Sequence, residues 1–78
     1  MEEYTDEQVA QDIFATLDSI GIVERIRLIA ESDRTSDEKD ELARNERHIQ
    51  LKMKKDRFVK GLTKTQTDRI SALELPSL

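Results

Sequence analysis

The chain has no cysteine and no tryptophan, one proline, two glycines and three aromatic residues, Tyr4, Phe14 and Phe58. Without cysteine, neither a disulfide framework nor a thiolate metal site can hold a small fold together. Obligatory breaks are few, at Gly21, Gly61 and Pro76. No apolar run approaches the roughly 18 residues of a membrane span. The start Met1-Glu2-Glu3 is acidic where a secretory signal is basic. These absences lead to the expectation of a soluble, cytoplasmic protein that is not secreted. A chain of 78 residues buries only about 60 % of the surface that its unfolded form exposes. Association with further copies is therefore a natural added source of stability.

What the chain has in quantity is charge, unevenly placed. Residues 1–46 carry 14 acidic and 5 basic side chains, and residues 47–78 carry 3 and 8. An acidic front and a basic back can pair within one chain, or head to tail between copies. The apolar residues are uneven too. Residues 31–57 hold only Leu42, Ala43, Ile49, Leu51 and Met53, so the middle of the chain does not read as a buried core element.

The spacing predicts an all-α protein of one domain, with an N-terminal αα-hairpin (1–31), a long third helix (36–60) and a short C-terminal helix with a tail (61–78). The first helix runs from about Thr5 to Ser19, with Thr5 and Gln8 as a capping box. Val9, Ile13, Leu17 and Ile20 share one face, which Ala10 and Phe14 widen. Gly21 then ends that helix in the left-handed conformation. A second helix, Ile22 to Glu31, turns back with Ile22, Val23, Ile26, Ile29 and Ala30 inward, while Leu28 points off that stripe. Thr35 and Glu38 form a capping box for the third helix. Asp40 with Arg44 and Asp56 with Lys60 stand at ion-pair spacing along it. Gly61 caps its end. Thr63 with Gln66, or Thr65 with Asp68, opens the last helix, which Pro76 closes.

At about 100° per residue, Leu42, Ile49 and Met53 lie along one side of the third helix. Leu51, Phe58 and Leu62 lie on the other. Two stripes imply two neighbours: the hairpin, and either the chain's own tail or another subunit. Leu51, Phe58, Leu62, Ile70 and Leu73 are accordingly the interface candidates, with Arg57 and Lys60 steering acidic partners. The same apolar residues would equally fill an intramolecular four-helix core.

Chemical sites are not evident. His48 has Arg44 and Lys52 one turn to either side and no second histidine for a metal, so it reads as an exposed surface residue. The stretch from Asp33 fails as a calcium loop, with Glu38 where glycine is needed and Arg44 at the closing glutamate position. No glycine-rich phosphate loop, thiol nucleophile or serine elbow is present. A core this small leaves no room for a pocket of ordinary ligand size. The expectation is a protein that is not an enzyme, with no catalytic residue, cofactor, metal, membrane contact or small-molecule substrate. The basic run offers Arg47, Lys52, Lys54 and Lys55 as nucleic-acid contacts, but its bases spread around the helix and the sequence pI is near 5.0.

Lys55-Asp56-Arg57-Phe58, then Leu62-Thr63, then Leu73-Glu74-Leu75-Pro76 resembles the end of small tailed-phage tail-assembly proteins. There an Asp-aromatic pair precedes a Leu-Thr entry to a last helix and a closing Leu-Pro. Here Arg57 interrupts the pair, and no functional residue is carried over. The resemblance implies a viral assembly or virion component. Taken together, these readings favour a small helical assembly protein working in multiple copies, through self-association or with other proteins of an assembly. A small acidic inhibitor or adaptor binding one host protein, and a nucleic-acid binder using residues 47–60, are the alternatives.

Overall fold

Three threonines decide where the longer helices begin. The computed structural model describes residues 3–78, which are helical with no strand among them; Met1 and Glu2 of the acidic start lie outside the described residues. Helix α1 (Asp6–Arg27), α2 (Ser36–Lys52) and α4 (Lys64–Ala72) open on Thr5, Thr35 and Thr63. Each threonine hydroxyl accepts the backbone N–H three residues on. The Gln8, Glu38 or Gln66 side chain there accepts the threonine's own N–H. Each box satisfies two donors that a helix start otherwise leaves unpaired.

Helix α1 does not stop at Gly21. It runs on to Arg27, and neither glycine has a positive φ. A glycine inside a helix costs roughly 0.5–1 kcal/mol against alanine. Burying an aliphatic side chain contributes about 1.5–3 kcal/mol, and Ile20, Val23 and Ile26 are all fully buried. Their stripe continues in phase across Gly21, and so the helix does too. The expected hairpin within residues 1–31 is therefore absent. The chain turns instead at residues 28–35, through a 3₁₀ turn at Glu31–Asp33. The Arg34 guanidinium holds this turn by donating to the carbonyls of Ile26 and Ile29, at 3.3 and 3.1 Å. Helix α2 then returns antiparallel to α1, with Arg25 beside Glu41 at one end and Asp12 beside Lys52 at the other. A helical hairpin exists, but α1 and α2 are its arms.

The long third helix is also replaced. Helix α2 ends at Lys52, a turn follows at Met53–Lys55, and a short α3 (Asp56–Lys60) starts in a new direction. A straight rod cannot turn two opposite stripes to one surface. The bend lets both be covered: Leu42 and Ile49 are buried from α2, and Phe58 is fully buried from α3. Helix α3 packs on the N-terminal part of α1. A Cβ placed on Gly61 would lie 3.1 Å from Ile13 Cδ1 and 3.2 Å from Val9 Cγ1. Gly61 follows α3 in an ordinary helical conformation, so glycine serves there for space and not for a left-handed turn.

Helix α4 lies against α1, with Arg69 paired to Glu24 at 2.6 Å. The main core joins Ile20, Val23, Ile26, Leu42, Ile49, Ile70 and Leu73, with Leu17, Ile22, Met53, Leu62 and Leu75 at its margin. Neither expected pair on residues 36–60 forms, since Arg44 and Lys60 meet no carboxylate among the described residues; Lys64 and Asp68 make such a pair instead, at 3.2 Å.

Candidate protein–protein interface

The acidic front and basic back meet inside the chain. Asp6 pairs with Arg57, Asp12 with Lys52 at 3.0 Å and Lys55 at 3.8 Å, and Glu24 with Arg69. Tyr4 completes the cluster at Asp12 by donating its hydroxyl to the carboxylate, and the Lys55 ammonium stands 4.4 Å from the Tyr4 ring centroid. Burial, and then the bond to Asp12, push the Tyr4 hydroxyl up to about 12. The same hydroxyl, followed by Lys52, holds the Asp12 carboxyl below its usual range. Lys52 and Lys55 are thus engaged within the chain. Of the nucleic-acid candidates, Arg47 and Lys54 stay exposed with no carboxylate partner among the described residues.

His48 is half-buried, not exposed. Its Nε2 lies 3.3 Å from the hydroxyl of Thr16, which is itself buried. Desolvation first, and then Lys52, lower its proton affinity. The sequence reading named the basic neighbours; burial under α1 needed the packing of α2. Among the described residues, no three His, Cys, Asp or Glu side chains come together as a metal site would require. A surface groove of about 450 Å³ runs between Met53, Lys54, Ile70 and the tail at Leu75 and Leu78. The reading that left no room for such a volume considered the core alone, and the tail forms this groove outside it.

The interface candidates divide. Phe58, Ile70 and Leu73 are buried in the chain, and Leu62 packs at the margin of its core. These four fill the intramolecular alternative, because the bend before α3 brings them inward. Arg57 binds Asp6 and the Tyr4 carbonyl. Leu51, 44 % exposed, and Lys60 still face outward.

A different surface is uncovered. Phe14 is 72 % exposed and Leu28 is 88 % exposed. At 100° per residue, Ala10, Phe14, Gly21 and Leu28 fall within a sector of about 60° on α1, far round from Thr16, Ile20 and Val23. Nothing lies within 4 Å of a Cβ placed on Gly21. Beside this sector stand Glu7 and Asp18, both exposed and without a basic partner among the described residues. The outward face of α2 carries Ala43, Arg44, Arg47 and Leu51, all exposed, on the side away from Leu42 and Ile49. The sequence held one signal of the α1 face: Leu28 already fell off the apolar stripe.

Comparison of the chain with family models, curated proteins and solved structures finds no match. No helix among the described residues is long and apolar enough to cross a membrane.

Proposed function

We propose that this chain is a non-enzymatic helical assembly protein that works in multiple copies. The observation that carries the reading is the uncovered face of α1. Single exposed apolar residues are ordinary on a protein surface. Phe14 and Leu28, however, share one helix face with Ala10 and Gly21, so that the apolar surface is continuous and rigidly presented. Leu51 adds a second exposed apolar side chain on α2. The resemblance of the C-terminal third to tailed-phage tail-assembly proteins supports the same reading, as a virion or assembly component.

Sedimentation velocity tests it. The mass of the chain should rise between about 1 μM and about 500 μM, the range in which weak interfaces associate. A monomer throughout that range overturns the proposal.

A further inference from the structure

We infer that copies associate head to tail, the outer face of α1 in one copy docking on the outer face of α2 in the next. The inference rests on the assembly reading and names the two surfaces that it uses.

The two faces complement each other in charge and differ in position. The α1 face presents Phe14 and Leu28 beside the unpaired acids Glu7 and Asp18. The α2 face presents Leu51 and Ala43 beside the unpaired bases Arg44 and Arg47. The other front-to-back charges are already matched within the chain, at Asp6, Asp12 and Glu24. What remains over is acid on one edge of the hairpin and base on the other. Packing α1 on a second α1 would leave Glu7 and Asp18 facing like charges, whereas α1 on α2 gives each acid a guanidinium. Gly21 fits the arrangement: its open side lets a neighbouring helix come close between Phe14 and Leu28.

An interface between two different surfaces is heterologous. Each copy keeps one free edge of each kind after it binds, and the series grows until rotation closes it into a ring or it continues as a filament. Helix α1 is 22 residues long, hence about 33 Å, and its face is ~10 Å across. Such a patch is smaller than the roughly 800 Å² per partner of a standard interface. Association should therefore be weak per contact, dependent on concentration and reduced by salt.

Two variants separate the edges. Phe14→Glu disables the α1 edge, and Arg47→Glu with Leu51→Glu disables the α2 edge. All three positions are exposed, and circular dichroism should show unchanged helix. Each variant alone should associate at least about tenfold more weakly than the parent chain, the loss of one interface anchor. An equimolar mixture should recover a complex of two chains and nothing larger, because one intact edge of each kind remains. If the α2-edge variant still forms dimers by itself, α1 pairs with α1 and the inference is overturned. A mixture that stays monomeric overturns it too. If the parent associates and both variants match it, the surfaces are wrong while the assembly reading stands. A monomeric parent removes both.

Discussion

Helix α1 is held by two unlike kinds of contact. Its C-terminal part, Ile20 to Ile26, lies in the main apolar core with α2 and α4. Its N-terminal part meets α3 at a small corner, where Gly61 closes on Val9 and Ile13, and the polar ties Asp6–Arg57 and Asp12–Lys52 surround it. Phe58, fully buried, comes from α3 and stands outside the main cluster. The core is built from many aliphatic side chains in phase. The corner depends on one aromatic, one glycine and a bend in the chain. The contrast teaches where this molecule tolerates change and where it does not.

Truncation gives the sharpest break of that contrast. Phe58→Ala should cost about 3–5 kcal/mol, and Ile26→Ala in the main core about 2–5 kcal/mol. A chain of this length has a total stability of only about 4–12 kcal/mol at typical values per residue. Urea unfolding should therefore show either substitution bringing the whole protein close to its unfolding midpoint. A loss under 1 kcal/mol for Phe58→Ala would show the corner to be dispensable.

The two glycines should respond with opposite signs. Gly61→Ala places a methyl against Ile13 and Val9 and should destabilise by about 1 kcal/mol, at the low end of overpacking costs. Gly21→Ala meets open space in mid-helix and should stabilise by about 0.5–1 kcal/mol. Thermal melts of the pair check both, and a shift in the same direction for both would refute the distinction drawn between the two sites.

The smallest effect is that of pH. His48 binds its proton less readily in the fold than its ordinary value of 6.5. As the pH falls below that value the unfolded chain takes up the proton first, and stability declines. Asp12 adds a second loss at lower pH, because its carboxyl is lowered in the fold and its contribution disappears as the pH drops through that lowered value. Tyr4 acts at the other end. Its stabilisation is present below its ordinary 10.0 and lost as the pH rises through about 12. Denaturant titrations across pH should show these three declines, and His48→Gln should remove the first.

Several elements were legible without coordinates. The pairs Thr5 with Gln8, Thr35 with Glu38, and Thr63 with Gln66 form as read, because both partners sit three residues apart on one turn. The all-α class follows from the same local chemistry. The α1 docking face was only half visible. Leu28 stood off the stripe in the sequence, but Phe14 was counted as widening it. Periodicity places a residue at an angle on its helix without saying which angles a neighbour covers.

Sequence alone therefore determined helix content, the three threonine starts and the inventory of acids and bases, since these depend on contacts spanning a single turn. Only the tertiary structure decided that α1 passes Gly21, that the chain bends at Met53–Lys55, and that Phe58 turns inward. In each case the local preference is worth about 1 kcal/mol. Burial of a large side chain against a distant helix is worth more, and so long-range packing prevailed.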